Sequence, residues 1–466
     1  MSGTVLVARL DNAGEVLLAG PAIRAVAAGA DEVVLLAGPY GRDAGELLPG
    51  VSRTVEWRAP WIEPGASPTS ASSGTFSGTF SGTTSGTVVS GAAASVGASP
   101  VIVPPVTGPH VLRLLRIVRD VAPDQALILT SAHESPLPLA LLLRLAGAFR
   151  ITAASPDQAG SLLDVRYVAD EGTDPPEAER MLGLARSAGF DLPPRDDGRL
   201  AVRRPLPETD HLTGPAGYVV VHPGVSCSAR AWSLESWSRT VQDLARSGRR
   251  VVVTGGADER VLTARIASGA GQHGLSPGPV FAGGWMGGGP WDAGEGGRER
   301  DEAARSGGWA GRHAGGGVEG WIDGWTDGEL IASDRTAGAG APVPAGGWPG
   351  GTTGRSVTDL GGRTTFAELA SVLAGACAVV AADTGPAHLA AAVGTPVVSL
   401  FSPVAPARRW APYGIPVVIL GDQHAPCRGT RAGTCPVPGH PCLSSVASAQ
   451  VVEAVDRLTF ARESVT

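Results

Sequence analysis

Ala381-Ala382-Asp383-Thr384-Gly385-Pro386-Ala387-His388-Leu389-Ala390 is the stretch on which the reading of the fold turns. The apolar run Ala378 to Ala382 reads as a buried strand ending at Asp383. A helix then begins about Gly385, with Pro386 in its first turn, where a missing N–H costs nothing. Short β-branched runs alternate with helical patterns in the same way on either side, which signals parallel α/β units. Phe366 to Gly375 reads as helix, Pro386 to Val393 as helix and Val397 to Phe401 as strand. Upstream, Tyr218 to His222 and Arg250 to Thr254 read as strands, with helices over Leu234 to Ser247 and Asp258 to Ser268. The first half repeats the pattern: strands at Thr4 to Ala8, Glu32 to Ala37 and Ala126 to Thr130, helices at Val16 to Ala28 and Pro136 to Gly147.

The Pro- and Arg-rich junction Leu192 to Pro215 separates the two series. The expectation is two doubly wound, Rossmann-like α/β domains facing each other across a cleft, spanning residues 1–200 and 216–466. Two stretches interrupt them. Residues 66–99 are Ser, Thr, Gly and Ala with almost no charge, and read as a flexible insertion. Residues 284–354 hold 23 Gly and six of the eleven Trp, and read as a second insertion because Gly at a third of positions makes ordering costly. Together these leave about 360 of 466 residues, enough for two domains with ample cores.

Composition excludes several classes. The chain carries 37 basic and 44 acidic residues, net −7, and every basic one is Arg. A mildly acidic chain without a basic block argues against a nucleic-acid partner held by phosphate electrostatics. The start has no cationic lead and no signal-like apolar run. The most apolar stretch, Leu137 to Phe149, falls short of the about twenty residues a membrane span needs and contains Arg144. Five Cys are too few for a disulfide scaffold. A cytoplasmic protein is therefore expected.

In open parallel sheets ligands sit beyond the carboxyl ends of strands, so the loops there are the candidate sites. Thr384 and Gly385 put a hydroxyl and bare backbone amides at the positive end of a helix, a ready anion site suited to a pyrophosphate, with Asp383 before it and His388 one turn in. The alternative is a plain helix cap beside a surface His. After the strand at Tyr218 comes His222-Pro223-Gly224-Val225-Ser226-Cys227-Ser228-Ala229-Arg230. Gly224 and Ser226 permit close approach of a phosphate there, and Arg230 offers a permanently charged fork. Glu259, after Gly255-Gly256, is a candidate acceptor of hydrogen bonds from sugar or ribose hydroxyls. In Arg9-Leu10-Asp11-Asn12-Ala13-Gly14-Glu15-Val16 two carboxylates, Asp11 and Glu15, stand at a strand-to-helix turn as candidate general bases. The G-x-G-x-x-G spacing is absent, against a nicotinamide dehydrogenase. His133 is a candidate acceptor contact. Cys427, Cys435, His440 and Cys442 lack the tight spacing of a zinc knuckle and read as reduced loop thiols; no metal site is assigned.

These loops, in this order, resemble the ADP-heptose:lipopolysaccharide heptosyltransferases, glycosyltransferase family 9. The resemblance rests on Leu360-Gly361-Gly362-Arg363-Thr364-Thr365, on Asp383 through His388, on Gly394-Thr395-Pro396-Val397-Val398, on the opening Arg9 to Leu17 and on His222-Pro223-Gly224. It implies a GT-B architecture and an inverting transfer that requires neither metal nor cofactor. It also implies a nucleotide-diphosphate sugar donor, ADP-heptose by the family name, in the C-terminal domain. A saccharide or glycolipid acceptor would occupy the N-terminal one, in cell-envelope glycan synthesis, which admits peripheral contact with the inner membrane face. Asp383, Thr384, Gly385 and His388 match the donor-diphosphate segment, Arg230 the phosphate-binding Lys and Glu259 the acidic residue of the Gly-Gly loop. The catalytic Asp of the family's Gly-Asp-Val pattern is Glu15 here. The alternatives are a nucleotide-sugar-binding GT-B protein with lost or altered catalysis, and a sugar-nucleotide epimerase.

Overall fold

The computed structural model describes residues 3–62, 106–131, 134–168, 174–269 and 356–463. Both insertion stretches and His133 lie outside these residues. Among the described residues twelve strands form two six-stranded sheets, and every pairing is parallel. The first comprises β1 (Thr4–Arg9), β2 (Glu32–Ala37), β3 (Arg53–Glu56), β4 (Gln125–Ile128), β5 (Arg150–Ala154) and β6 (Val165–Tyr167), in the order β3-β2-β1-β4-β5-β6. The second comprises β7 (Tyr218–His222), β8 (Val251–Val253), β9 (Val357–Asp359), β10 (Ala376–Ala382), β11 (Val397–Leu400) and β12 (Val417–Leu420), in the order β12-β11-β10-β7-β8-β9. Read from the opposite edge the second order equals the first, so the fold is two doubly wound Rossmann-like domains in the GT-B arrangement. Each sheet reverses its winding once, between β1 and β4 and between β7 and β10. Those are the switch points where such sheets open a crevice.

The central strands are apolar on both faces because helices cover both faces. Val219, Val220 and Val221 of β7 are fully buried, and so are Val379, Val380 and Ala381 of β10. One core cluster takes in Val5, Val7, Leu17 and Ile23 of the first half together with Val220, Leu389 and Ala390 of the second, so the two halves share apolar contact beneath the cleft.

One helix expected over Val16 to Ala28 is two, Ala13–Leu18 and Gly20–Gly29. Pro21 has no N–H to continue the first helix's ladder and stands in the first turn of the second. The helix expected from Asp258 begins as a 3-10 turn over Ala257–Glu259 and becomes α-helical at Arg260–Ser268.

Candidate active site

Four loops leave the two switch points, and three of them line one cleft of about 330 Å³. In the loop after β1, Asn12 caps the next helix: its Oδ1 accepts from the amides of Gly14 at 2.9 Å and Glu15 at 3.5 Å. This cap fixes Glu15 in the first turn, where its carboxylate faces the cleft half-buried. Its Oε2 is shielded from water and has no hydrogen-bond partner. Burial, followed by the neighbouring Asp11 carboxylate, pushes Glu15 up to about 7 against the pull of Arg9 and Arg230.

Asp11 occupies a different environment. It is buried and paired with Arg9 at 2.9 Å, while Arg9 also donates to the carbonyl of Leu129 and the hydroxyl of Ser131. Burial pushes Asp11 up to about 7, Arg9 pulls it back and Glu134 adds to the rise. Asp11 lines not the main cleft but a second pocket of about 310 Å³, walled by Leu10, Trp61, Ile62, Thr130, Glu134 and Leu139 among others, at the ends of β1 and β4.

From β10, Thr384 is the N-cap of the Gly385–Val393 helix, with extended backbone and no side-chain cap bond. The Thr384 hydroxyl donates to the carbonyl of Ala382 at 3.3 Å. From β7, the turn Ser228–Arg230 brings Arg230 across to this helix start. Its Nη1 lies 3.5 Å from Asp383 Oδ2 and donates to the Asp383 carbonyl at 3.3 Å. Asp383 is thus not a cap; it holds the Arg230 guanidinium. The Arg230 Nε is buried and has no partner. His388 is buried, and burial with the nearby Arg230 charge lowers it to about 4, so its imidazole is neutral, with Nδ1 unpartnered.

Two helix starts meet here. A Cβ placed on Gly14 would lie 2.9 Å from Cδ2 of His388 and 3.3 Å from Cα of Gly385. Only glycine permits that approach, and it aims the positive ends of both helices into one space.

Eight of the residues singled out from sequence share this cleft: Glu15, Gly224, Ser226, Arg230, Asp383, Thr384, Gly385 and His388. Asp11 and Glu259 are not among its lining residues. Glu259 is buried behind the Gly224 loop, and its Oε2 accepts from the Gly256 amide at 2.6 Å. Its Oε1 is unbonded, and burial pushes the carboxyl up to about 7. His222, lowered to about 4 by burial, is a neutral neighbour of that carboxyl and bonds Thr254 at 3.0 Å.

Sequence reasoning missed Tyr40, Phe366, Trp410 and Arg431, which also line the cleft. Arg431 has left-handed backbone, φ 54°, a cost that a non-glycine residue carries only where its surroundings enforce it. The loop around it is held from both sides. The Gly429 and Arg431 amides donate to the carbonyls of Pro403 and Val404, and the Gly433 carbonyl accepts from Ala229 and the Ser228 hydroxyl. Buried Cys427 and Cys442 anchor it in the apolar core, and burial pushes the Cys442 thiol up to about 11. Arg-Gly-Thr-Arg carries no local signal of a site, and its docking against the Ser228–Arg230 turn is a tertiary fact.

A family model described as glycosyltransferase family 9 (heptosyltransferase) matches residues 111–276 and 351–439, more than half of the chain. The chain belongs to glycosyltransferase family 9. No curated protein sequence matches it significantly. Family 9 folds also appear among similar solved structures. E. coli ADP-heptose lps heptosyltransferase II is 15% identical over 99% of each chain, with a TM-score of 0.56. A family 9 glycosyl transferase from Veillonella parvula is 12% identical over 98% of this chain and 97% of its own, at 0.57. E. coli heptosyltransferase WaaC with ADP-2-deoxy-2-fluoro heptose is 15% identical over 97% of this chain and 99% of its own, at 0.53. At such identities the likeness concerns the fold, and it agrees with the two-sheet topology derived above. No helix among the described residues is long and apolar enough to cross a membrane.

Proposed function

We propose that this family 9 protein is an inverting glycosyltransferase that uses a nucleotide-diphosphate sugar, ADP-heptose by the family's name, and needs no metal. The observation that carries the reading is the meeting of the Gly385 helix start, Arg230 and Glu15 in one cleft. The diphosphate sits against the Thr384–Gly385 amides, with Arg230 and Arg431 as its cations. Asp383 fixes Arg230 through Nη1. The acceptor sits in the adjoining pocket, whose floor holds Asp11 and Glu134 and whose walls are apolar. Glu15 lines the donor cleft, four residues along the chain from the Asp11 of the second pocket.

In the transfer step the acceptor oxygen bonds to the anomeric carbon from the face opposite the diphosphate. Its proton passes to Glu15, and the electrons of the breaking carbon–oxygen bond go to the leaving phosphate. A base near pH 7 is well matched to this task. Negative charge grows on the phosphate, where fixed amides and guanidinium groups already point; removing one such donor typically costs about 3–4 kcal/mol. Those groups do the work a divalent cation would otherwise do. Burial, followed by the like charge of Asp11, which is paired with Arg9, keeps Glu15 basic.

The test is turnover of ADP-heptose against a panel of neutral saccharides and glycolipid head groups, in the presence of chelator, with the anomeric configuration of the product determined. Inverted product with chelator present supports the reading. Nucleotide binding without turnover on any acceptor would favour a donor-binding protein of altered catalysis, and activity only with added metal would overturn metal independence.

A further inference from the structure

The second pocket, about 310 Å³ at the ends of β1 and β4, falls within the about 300–1,000 Å³ of small-ligand sites. Leu10, Ile62, Pro136, Pro138 and Leu139 make its apolar wall. An indole and a pair of carboxylates break that wall.

The indole is Trp61, half-buried on the pocket lining. Its ring centroid lies 5.4 Å from that of Trp57, which is buried and stacks on His110 at 5.0 Å. Trp57 Nε1 donates to the His110 carbonyl at 3.3 Å, and His110 Nε2 donates to the Arg58 carbonyl at 2.6 Å. Trp61 is thus backed by a ring stack tied to the backbone. A fixed aromatic face gives a ligand contact area at small entropic cost and attracts a cation.

The carboxylates are Asp11 and Glu134, and among the described residues no Arg or His lines the pocket with them. The cations behind them are spent. Arg9 is fully buried, with Nε on Asp11 at 2.9 Å, Nη1 on the Leu129 carbonyl at 2.8 Å and Nη2 on the Ser131 hydroxyl at 2.9 Å. Arg180, also buried, is paired with Glu177 and donates to the Thr130 carbonyl. Glu134 accepts only from the Ser131 amide, at 3.3 Å, and is in no ion pair among the described residues. Arg9 and Arg180 therefore face Asp11, Glu134 and Glu177, which leaves one negative charge over. A sugar bearing a carboxylate or phosphate would meet two like charges here with no cation to receive it. An ammonium group supplies the missing charge, and its three N–H donors suit carboxylate oxygens.

We propose that the acceptor is a saccharide carrying a free amine, with its ring laid on Trp61 and its ammonium held by Glu134 and Asp11. This rests on the reading of the pocket as the acceptor's within the transferase proposed above.

Ligand-observed NMR titration of the full chain with methyl glucosaminide, methyl N-acetylglucosaminide and methyl glucuronide compares an ammonium, a neutral amide and a carboxylate on related rings. The glucosaminide should bind about tenfold more tightly than the N-acetyl sugar, with the glucuronide weakest. Glu134→Gln should erase that preference and leave the N-acetyl affinity within about twofold, an outcome a merely structural role would not give. Trp61→Ala should weaken both sugars about tenfold, and Trp61→Phe should recover part of the loss. Equal loss of both sugars in Glu134→Gln overturns the proposal. So do tightest binding of the glucuronide, affinities indifferent to Trp61, or binding of none of the three. Transfer from ADP-heptose separates the two readings. A chain that shows the predicted binding but glycosylates no amine counts against the transferase and leaves the pocket's preference standing. Inverting transfer that prefers the glucuronide keeps the transferase and overturns the amine.

Discussion

Gly14→Ala probes how tightly the two helix starts are pressed together. Gly14 lies inside a helix, where alanine is the better residue by about 1 kcal/mol on propensity alone. Its new methyl carbon would stand 2.9 Å from Cδ2 of His388 and 3.3 Å from both Oδ1 of Asn12 and Cα of Gly385. Carbon atoms in contact prefer about 3.5–4.0 Å, so the helix starts must part by roughly 0.5–1 Å. His388 is itself buried, so its ring has little room to turn aside. Overpacking on this scale costs about 1–3 kcal/mol, which exceeds the propensity gain. A displacement near 1 Å at a reacting centre costs about 10²-fold in rate. The expected variant melts a few degrees lower and transfers sugar about 10²-fold more slowly, with a smaller change in nucleotide binding. Scanning calorimetry beside steady-state transfer reads both. A variant that melts at or above wild type and turns over normally would show that the helix starts do not touch.

Glu15→Gln is expected to abolish transfer while nucleoside-diphosphate binding, measured by titration calorimetry, stays within about twofold, because the charge lost is on the acceptor side of the donor. With Glu15 up to about 7, the wild-type rate should fall about tenfold per pH unit below that value. The stability sign runs the other way. Between the usual carboxyl range and about 7 the folded protein holds more protons at Glu15 than the unfolded chain does, so stability from this group falls as pH rises. Glu15→Gln should therefore melt higher than wild type at alkaline pH, with the difference fading toward pH 5 in thermal-shift scans. Arg431→Ala should weaken a nucleoside diphosphate about tenfold and the bare nucleoside hardly at all, with Arg431→Lys recovering part of the loss; equal effects on both ligands would place Arg431 away from the phosphates.

The central strands were legible because burial on both faces leaves an unbroken apolar run, as in Tyr218 to His222 and Ala378 to Ala382. The edges were not. β3 reads Arg-Thr-Val-Glu and β6 Val-Arg-Tyr, short and partly exposed, so neither carries an apolar signature. The site loops were legible for a related reason: a strand end followed by Gly, Ser or Thr and a helix start is a local pattern. What such a pattern omits is the partner across the fold. Asp383 read as part of the diphosphate segment, with a helix cap as the alternative, and its pairing with Arg230, 153 residues away, had no local signal. Glu259 read as a ligand contact; it lies behind Gly224, with Oε2 accepting from the Gly256 amide and Oε1 unbonded. Arg431 carried no local signal beyond a turn, because its place in the cleft depends on bonds to Pro403, Val404 and the Ser228–Arg230 turn.

Titration of ADP and UDP into the wild-type protein and into Arg230→Ala tests the diphosphate cradle most directly. The account predicts one binding site per chain in the wild type for at least one of the two, weakened about 10- to 10²-fold by loss of the Arg230 fork. Neither nucleotide binding, or binding indifferent to Arg230, would contradict it.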